Sequence, residues 1–157
     1  MSNIIATNNF LSDIEKRILV ALLDVIIPAD NARELPSAAE LNILENLEEF
    51  GADHIPKIKE ELDELNKAAL DKTASLFFEL EKDKQLELCD LLRETERRFA
   101  RTILVQTLNC YYQDSRVLTA WGRKAGAQFP GGNEVSQSDL TLLDPVRKRG
   151  RIFRDIT

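Results

Sequence analysis

Apolar residues recur along this chain mainly every three or four positions, the pattern of amphipathic helices packed against one another. The first helix is predicted to begin after Ser12, whose hydroxyl can cap it while Glu15 reaches back to the Ser12 backbone. It should end before Pro28, because proline disfavours a helical conformation in the residue before it. The positions expected to pack inward are Ile14, Ile18, Leu22 and Val25, with Leu19 and Ile26 beside them.

Two further helices follow from the same pattern and from their end signals. Ser37 and Glu40 repeat the capping signature before a second helix, and Gly51 is placed to end that helix in a left-handed conformation. Pro56 suits the first turn of a third helix. A break in the helical pattern is then predicted within residues 75–81.

Three more helices complete the predicted bundle. The fourth covers residues 82–94 and the fifth residues 95–112, and Asp114 can cap a short sixth helix that Gly122 closes. The positions expected to face the core are Leu86 and Cys89 in the fourth helix, with Leu88 and Leu92 as further candidates, and Phe99, Ile103, Thr107 or Leu108, and Tyr111 in the fifth.

The character of the chain changes after residue 122. Residues 123–157 contain paired glycines, two prolines and scattered apolar residues without a helical stripe, and an irregular segment of that length needs a surface to lie on. The sequence therefore predicts an all-α fold, an irregular bundle of five or six helices formed by residues 1–122. An extended C-terminal tail, residues 123–157, should follow and dock on a partner.

Composition places the chain among globular proteins rather than disordered or membrane-spanning ones. Of its 157 residues, 43% are hydrophobic and 31% are charged, which suits one domain with a sizeable core. No run approaches the roughly 20 apolar residues that span a bilayer. Cys89 and Cys110 lack the spacing of a metal or redox motif and fall in apolar helical patterns, which indicates buried free thiols.

The first ten residues show no export signal. The expected location is therefore the cytoplasm for the chain as written. It is the periplasm if a signal was removed or if the chain is exported together with a partner.

Motifs that bind metals, phosphates or cofactors are not found in this sequence. The chain has one histidine, His54, too few for the usual zinc or di-iron sites. No Walker, dinucleotide-binding or nucleophile-elbow motif occurs. Carboxylates with lysines at helical spacing are typical of solvated helix faces. These carboxylates are Glu45, Glu48, Glu49, Glu60, Glu61, Asp63 and Glu64. We expect no catalytic residue, no metal site and no bound cofactor.

Two segments remain as candidates for binding. Tyr111, Tyr112 and Trp121 either form a corner of the core or anchor an interface, since Tyr and Trp dominate binding hot spots. Residues 145–157 carry five basic residues and one acidic residue, a net charge of +4 in a chain of net charge −6. This segment is either a solvated terminus or a docking segment. Its alternating arginines and large apolar residues suit a protein groove, whereas the acidic remainder of the chain would repel nucleic acid.

Three stretches together resemble the gluconate 2-dehydrogenase subunit 3 family, the small subunits that partner flavin-dependent sugar and alcohol dehydrogenases. They are LLDVIIPADNARELPSAAEL at residues 22–41, YYQDSRVLTAWG at 111–122, and FPGG with LLDPVRKRG at 129–132 and 142–150. Residues 77–92 carry a weaker pattern of Phe, Leu and Gln that leads into a helix. The stretches occur in the order seen in the family.

The resemblance implies a non-catalytic accessory subunit without a cofactor of its own. In such complexes a large subunit of the glucose–methanol–choline type holds FAD and oxidises the sugar or alcohol. A haem-bearing subunit often passes the electrons to the membrane. The small subunit supports folding, stability or export of the catalytic subunit and has no membrane span of its own.

The resemblance also directs attention to particular residues. The expected partner-binding residues are Tyr112, Trp121, Phe129, Pro145, Arg147, Arg149, Ile152 and Phe153. Arg147 and Arg149 should meet carboxylates of the flavoprotein, and Pro145 should set the chain direction there. The alternative function is a free-standing helical adaptor or regulator that retains the fold without a dehydrogenase partner.

Overall fold

The computed structural model describes residues 10–95, 98–123 and 138–149 of the chain. Its α-helices are α1 (Asp13–Ile26), α2 (Ile43–Phe50), α3 (Ile55–Thr73), α4 (Lys82–Thr95), α5 (Arg101–Tyr111), α6 (Ser115–Ala120) and α7 (Asp144–Lys148). Short 3₁₀ helices lie at Asn31–Arg33, Ala38–Glu40, Ala52–His54, Phe77–Glu79 and Leu140–Leu143. Within the described residues there is no β-strand, so the predicted all-α fold is confirmed.

The described residues belong to two compact units. Residues 10–123 form the helical body, which contains α1 to α6, and residues 138–149 form the tail segment, which contains α7. Within the predicted tail, the described residues 138–149 contain a 3₁₀ turn and the short helix α7. Pro145 lies in the first turn of α7, where its missing N–H costs nothing, and the last turn carries Arg147 and Lys148, which suit the negative end of a helix. Across the described ranges, no helix combines the length and apolar character needed to cross a membrane.

Helix α1 lies at the centre of the helical body and packs against α3 and α4. It begins with the predicted capping box, in which Ser12 and Glu15 exchange side-chain and backbone hydrogen bonds. Its buried residues are Ile18, Leu19, Leu22 and Leu23. Ile14 was expected to face inward but is 51% exposed, whereas Leu11 is buried and Glu15 is partly covered, so the buried face of α1 passes to one side of Ile14.

Helix α2 starts later than the capping signal suggested. The Ser37–Glu40 capping box encloses a single 3₁₀ turn, and α2 begins at Ile43. Gly51 ends α2 at the predicted position, but its φ of −123° is not left-handed. A side chain at position 51 would be crowded for a different reason, since an added Cβ would lie 2.9 Å from the end of the Leu47 side chain and 3.3 Å from the Leu47 Cα.

A turn with a buried aromatic ring separates α3 from α4. The predicted break at residues 75–81 is present as the 3₁₀ turn Phe77–Glu79, and the Phe77 ring is completely buried. The Gln85 side chain donates a 3.1 Å hydrogen bond to the Phe77 carbonyl oxygen, and Asn66 accepts one from the Phe77 N–H. Cys89 is buried as expected, together with Leu88 and Gln85, whereas Leu86 was expected to face the core but is half exposed.

Glu61 is a buried carboxylate where the sequence indicated a solvated one. It lies on α3 with 3% of its surface exposed, and its two oxygens accept hydrogen bonds of 3.0 Å from the N–H groups of Thr102 and Ile103. These groups begin α5, whose N-cap residue, Ala100, provides no side-chain cap. Glu61 therefore caps α5 from another helix and balances the positive end of its dipole.

Candidate partner-binding surface

The helical body brings together two stretches that lie far apart in the sequence. The Tyr111 hydroxyl, at the end of α5, donates a 3.0 Å hydrogen bond to the carbonyl oxygen of Pro36 across 75 residues. Arg116, in α6, donates one of 3.2 Å to the carbonyl oxygen of Glu40. Burial raises the pKa of Tyr111, so the phenol stays protonated and remains a donor. These bonds fix the positions of α5 and α6 against residues 36–40.

Asp114 and Arg116 organise the start of α6. The Asp114 carboxylate accepts a 2.8 Å hydrogen bond from the Arg116 N–H, which is the predicted cap. The Arg116 guanidinium adds bonds of 3.1 and 3.2 Å to the same carboxylate, and this contact lowers the pKa of Asp114. At the other end Gly122 adopts a φ of +68°, which a residue with a side chain rarely adopts. The predicted boundaries of α6 are thus confirmed.

A hollow of about 570 Å³ lies between the loop before α2 and helix α6. Leu35 and Pro36 line one side, and Thr119 and Ala120 line the other. Its wall also holds Arg116 and Glu40, which lie 3.9 Å apart and form an ion pair. Glu34 also lines the hollow, so its wall carries two carboxylates and one guanidinium.

The aromatic residues near α6 divide between the core and the surface. Tyr111 is 3% exposed and meets the Tyr112 ring edge-on, with ring centroids 5.6 Å apart. Tyr112 and Trp121 are 48% and 53% exposed, and their centroids lie 5.3 Å apart. Tyr111 therefore belongs to the core, and the role of Tyr112 and Trp121 as interface anchors stays a prediction. The structure brings Tyr112 and Trp121 together as one exposed aromatic pair.

Helix α5 extends this aromatic pair into a longer apolar surface. Leu104, Leu108 and Tyr112 recur at every fourth position, which places them on one face of the helix. Leu104 is 39% exposed, Val105 is 44% exposed and Leu108 is half-buried. We call the surface formed by Leu104, Val105, Leu108, Tyr112 and Trp121 the α5 stripe.

Sequence reasoning missed Leu104 and Val105 for a specific reason. The row that packs against α2 and α3 is Ile103, Thr107 and Tyr111, which is displaced by one position from the exposed row. Because both rows are largely apolar, periodicity alone does not tell which of them faces the core. Two adjacent apolar rows on one helix are the signal that could have revealed an exposed face.

The tail segment carries the other predicted binding residues that fall within the described ranges. Pro145, Arg147 and Arg149 are all exposed, and one guanidinium nitrogen of Arg147 lies 3.3 Å from the Asp144 carboxylate. Large apolar side chains on the same segment are also exposed. They are Leu140, Leu142, Leu143 and Val146. Phe129, Ile152 and Phe153 lie outside the described residues.

The cysteines are unpaired thiols with little nucleophilic character. Cys89 is buried and Cys110 is half-buried. Burial raises the pKa of the Cys89 thiol to about 12, and it also raises the pKa of Cys110. In the described ranges, no group of three or more His, Cys, Asp and Glu side chains is arranged to hold a metal ion.

These features define a class of protein, an all-α chain in which one helix leaves an apolar and aromatic face open to solvent. The chain belongs to the gluconate 2-dehydrogenase subunit 3 family, whose model matches residues 13–128. That match includes α1 to α6 and all of the α5 stripe. None of the curated proteins compared with the chain matches it, and no solved structure matches it.

Proposed function

We propose that this protein is the non-catalytic small subunit of a membrane-associated, FAD-dependent sugar or alcohol dehydrogenase complex. The large subunit, of the glucose–methanol–choline type, holds FAD and performs the oxidation, and this chain supports the folding, stability or export of that subunit. The single observation that carries the proposal is the family match over residues 13–128. A haem subunit completes the electron path in complexes that have one.

The α5 stripe supports a protein partner of this kind. The rings of Tyr112 and Trp121 pack against each other at an interplanar angle of 46°, while about half of each side chain stays exposed. Exposed Tyr and Trp supply large contact area at a low cost in side-chain entropy, and they are enriched at binding hot spots. The hydrogen bond between Tyr111 and Pro36 anchors the end of α5, so this surface is held rigid before a partner arrives.

The tail segment supplies a second type of contact. Leu142 is 75% exposed and Val146 is 58% exposed, and Arg147 and Arg149 follow them closely in the chain. Arginine forks bind carboxylates in two-pronged geometry while neighbouring apolar side chains exclude water. We therefore assign residues 1–122 to the helical domain and residues 123–157 to docking on the flavoprotein.

Co-expression with the FAD-dependent dehydrogenase subunit of the same cell tests the proposal. A tagged copy of this chain should recover the flavoprotein at moderate salt, and the purified complex should show flavin absorbance. Recovery of a colourless, solitary chain from cells that contain both proteins would contradict the proposal and favour a free-standing adaptor.

Surface variants show whether the α5 stripe takes part. The double substitution Tyr112→Ala and Trp121→Ala should reduce recovery of the flavoprotein at least about tenfold, since truncating hot-spot aromatics is costly. Val20→Ala, at another exposed apolar position on α1, is the matched control and should not change recovery. Circular dichroism and melting temperature check that both variants fold.

Charge reversal tests the tail segment separately. Arg147→Glu with Arg149→Glu should weaken the complex and reduce its dependence on salt, because two attractive charges become repulsive. Lys67→Glu with Lys84→Glu makes the same change of net charge at exposed positions of α3 and α4. If both pairs weaken the complex equally, the effect comes from net charge and not from docking of the tail.

A further inference from the structure

A polar groove runs between α2 and α5, on a side of α5 different from the α5 stripe. One hollow of about 360 Å³ is lined by Asn46, Phe50 and His54 on one side and by Gln106, Asn109 and Gln113 on the other. A second hollow, of about 230 Å³, shares Asn46 and Gln113 with the first. The two hollows are therefore neighbours between α2 and α5, and we call them together the α2–α5 groove.

Several side-chain amides of the α2–α5 groove are available to form hydrogen bonds. Within the described part of the chain, the amides of Asn46, Gln106 and Gln113 make no hydrogen bond to another residue. Each amide offers both donors and an acceptor, the groups needed to pair with a peptide main chain. Phe50, at one end of the groove, is 75% exposed, and an aromatic ring in that position can contact an apolar side chain.

Two glutamates line the second hollow, and their negative charges are unfavourable in the free protein. Glu45 and Glu49 line it, four residues apart on α2, and like charges at that spacing repel each other. Glu49 also lies in the last turn of α2, next to the negative end of the helix, and that turn has no basic residue. Within the described ranges, neither carboxylate forms a salt bridge and no Lys or Arg lines either hollow. A cation in the groove would relieve both conflicts.

We infer that the α2–α5 groove binds an extended, Lys- or Arg-bearing segment of the flavoprotein subunit, an inference that rests on the proposed function. The side-chain amides bind the main chain of this segment, Glu45 and Glu49 pair with its cations, and Phe50 contacts an apolar side chain. The size of the groove fits such an occupant. From Gln106 to Gln113 helix α5 rises by about 10 Å, which matches about three residues of extended chain.

Substituting two neighbouring glutamates of α2 tests this inference. Glu49→Lys puts a cation four residues after Glu45 and at the negative end of the helix, so the melting temperature of the free protein should rise. The same change removes an attraction for a basic segment and adds a repulsion. Affinity for the purified flavoprotein should therefore fall about tenfold at low salt, and less at high salt. A higher melting temperature together with a lower affinity for the flavoprotein would distinguish a binding role of Glu49 from a structural one.

Glu48→Lys is the matched control. Glu48 is exposed and lies in the same last turn of α2, but it does not line the groove. Its substitution should also raise the melting temperature, while affinity for the flavoprotein stays unchanged. Phe50→Ala provides an independent check, since it should weaken binding without removing any buried group of the free protein.

The outcomes separate the inference from the proposed function. If the wild-type chain binds the flavoprotein and Glu49→Lys binds it equally well at low salt, the groove is not the site of a basic segment and the inference is wrong. If Glu48→Lys weakens binding as much as Glu49→Lys, net charge explains the result and the inference is also wrong. Absence of any complex with the wild-type chain would instead overturn the proposed function, and the inference with it.

Discussion

The carboxylate of Glu61 on α3 accepts a 3.0 Å hydrogen bond from the backbone N–H of Ile103, at the beginning of α5. The two residues are 42 positions apart, and both are nearly inaccessible to solvent. A helix end buried without a partner is costly, because its first N–H groups have no acceptor within the helix. Glu61 thus determines where α5 begins, and through α5 it positions the α5 stripe.

Replacing Glu61 should destabilise the protein strongly. Glu61→Ala should lower the free energy of unfolding by about 2–4 kcal/mol, since it removes charge-assisted bonds and leaves two N–H groups without an acceptor. Glu61→Gln keeps one acceptor oxygen and should cost less. Glu60→Ala is the control, because Glu60 forms only an exposed pair with Lys57. Urea unfolding followed by circular dichroism measures all three. If Glu60→Ala and Glu61→Ala lowered the free energy of unfolding by similar amounts, Glu61 would not act as the cap of α5.

Tyr111 and Tyr112 offer a matched pair of hydroxyl deletions. Tyr111→Phe should lower the free energy of unfolding by about 1 kcal/mol, because the Pro36 carbonyl oxygen loses its buried donor. Tyr112→Phe should leave stability unchanged, since its ring is half exposed. Thermal unfolding of the two variants provides the comparison. The anchoring role of Tyr111 would be excluded if both variants melted at the wild-type temperature.

The Asp24 carboxylate should make stability depend on acidic pH. Hydrogen bonds from Lys82 and Ser37 lower its pKa from the ordinary value of 3.8. Its contribution is therefore fully present above pH 3.8 and is lost as the pH falls through the lowered pKa of the folded protein. Asp24→Asn should reduce stability at neutral pH, and the difference from wild type should shrink in strong acid.

Melting temperatures of wild type and Asp24→Asn, measured from neutral pH down to pH 2, test this expectation. The double variant with Lys82→Met separates the contribution of the Lys82 ion pair from that of the Ser37 hydrogen bond. A difference between Asp24→Asn and wild type that stays constant across the whole pH range would show that the carboxylate contributes nothing through its charge.

The two thiols should differ in reactivity. Cys89, whose pKa burial raises to about 12, should resist a thiol reagent at pH 8 until the protein unfolds. Cys110 is only half-buried, so it should react, but more slowly than a free cysteine. Labelling rates of Cys89→Ser and Cys110→Ser, each of which retains a single thiol, assign the two reactions. Rapid labelling of Cys110→Ser in the folded state would contradict the burial of Cys89.

Local signals predicted much of the fold. The capping box of Ser12 with Glu15, the turn before α4, the Asp114 cap and the closing Gly122 all involve residues within a few positions of each other. Such signals depend on backbone geometry alone, so they can be recognised without knowing what packs nearby. The aromatic pair was also within reach of the sequence, because Tyr112 and Trp121 bracket one short helix.

The remaining features depend on contacts between elements that lie far apart in the chain. Glu61 resembles its exposed neighbours in sequence, and only the approach of α5 makes it a buried cap. Likewise, the apolar rows of α5 are equivalent until α2 and α3 cover one of them, which leaves Leu104 and Tyr112 exposed. The sequence by itself determined the helices, most of their ends and the family. Tertiary structure decided which faces are buried, because burial depends on which elements come to pack together.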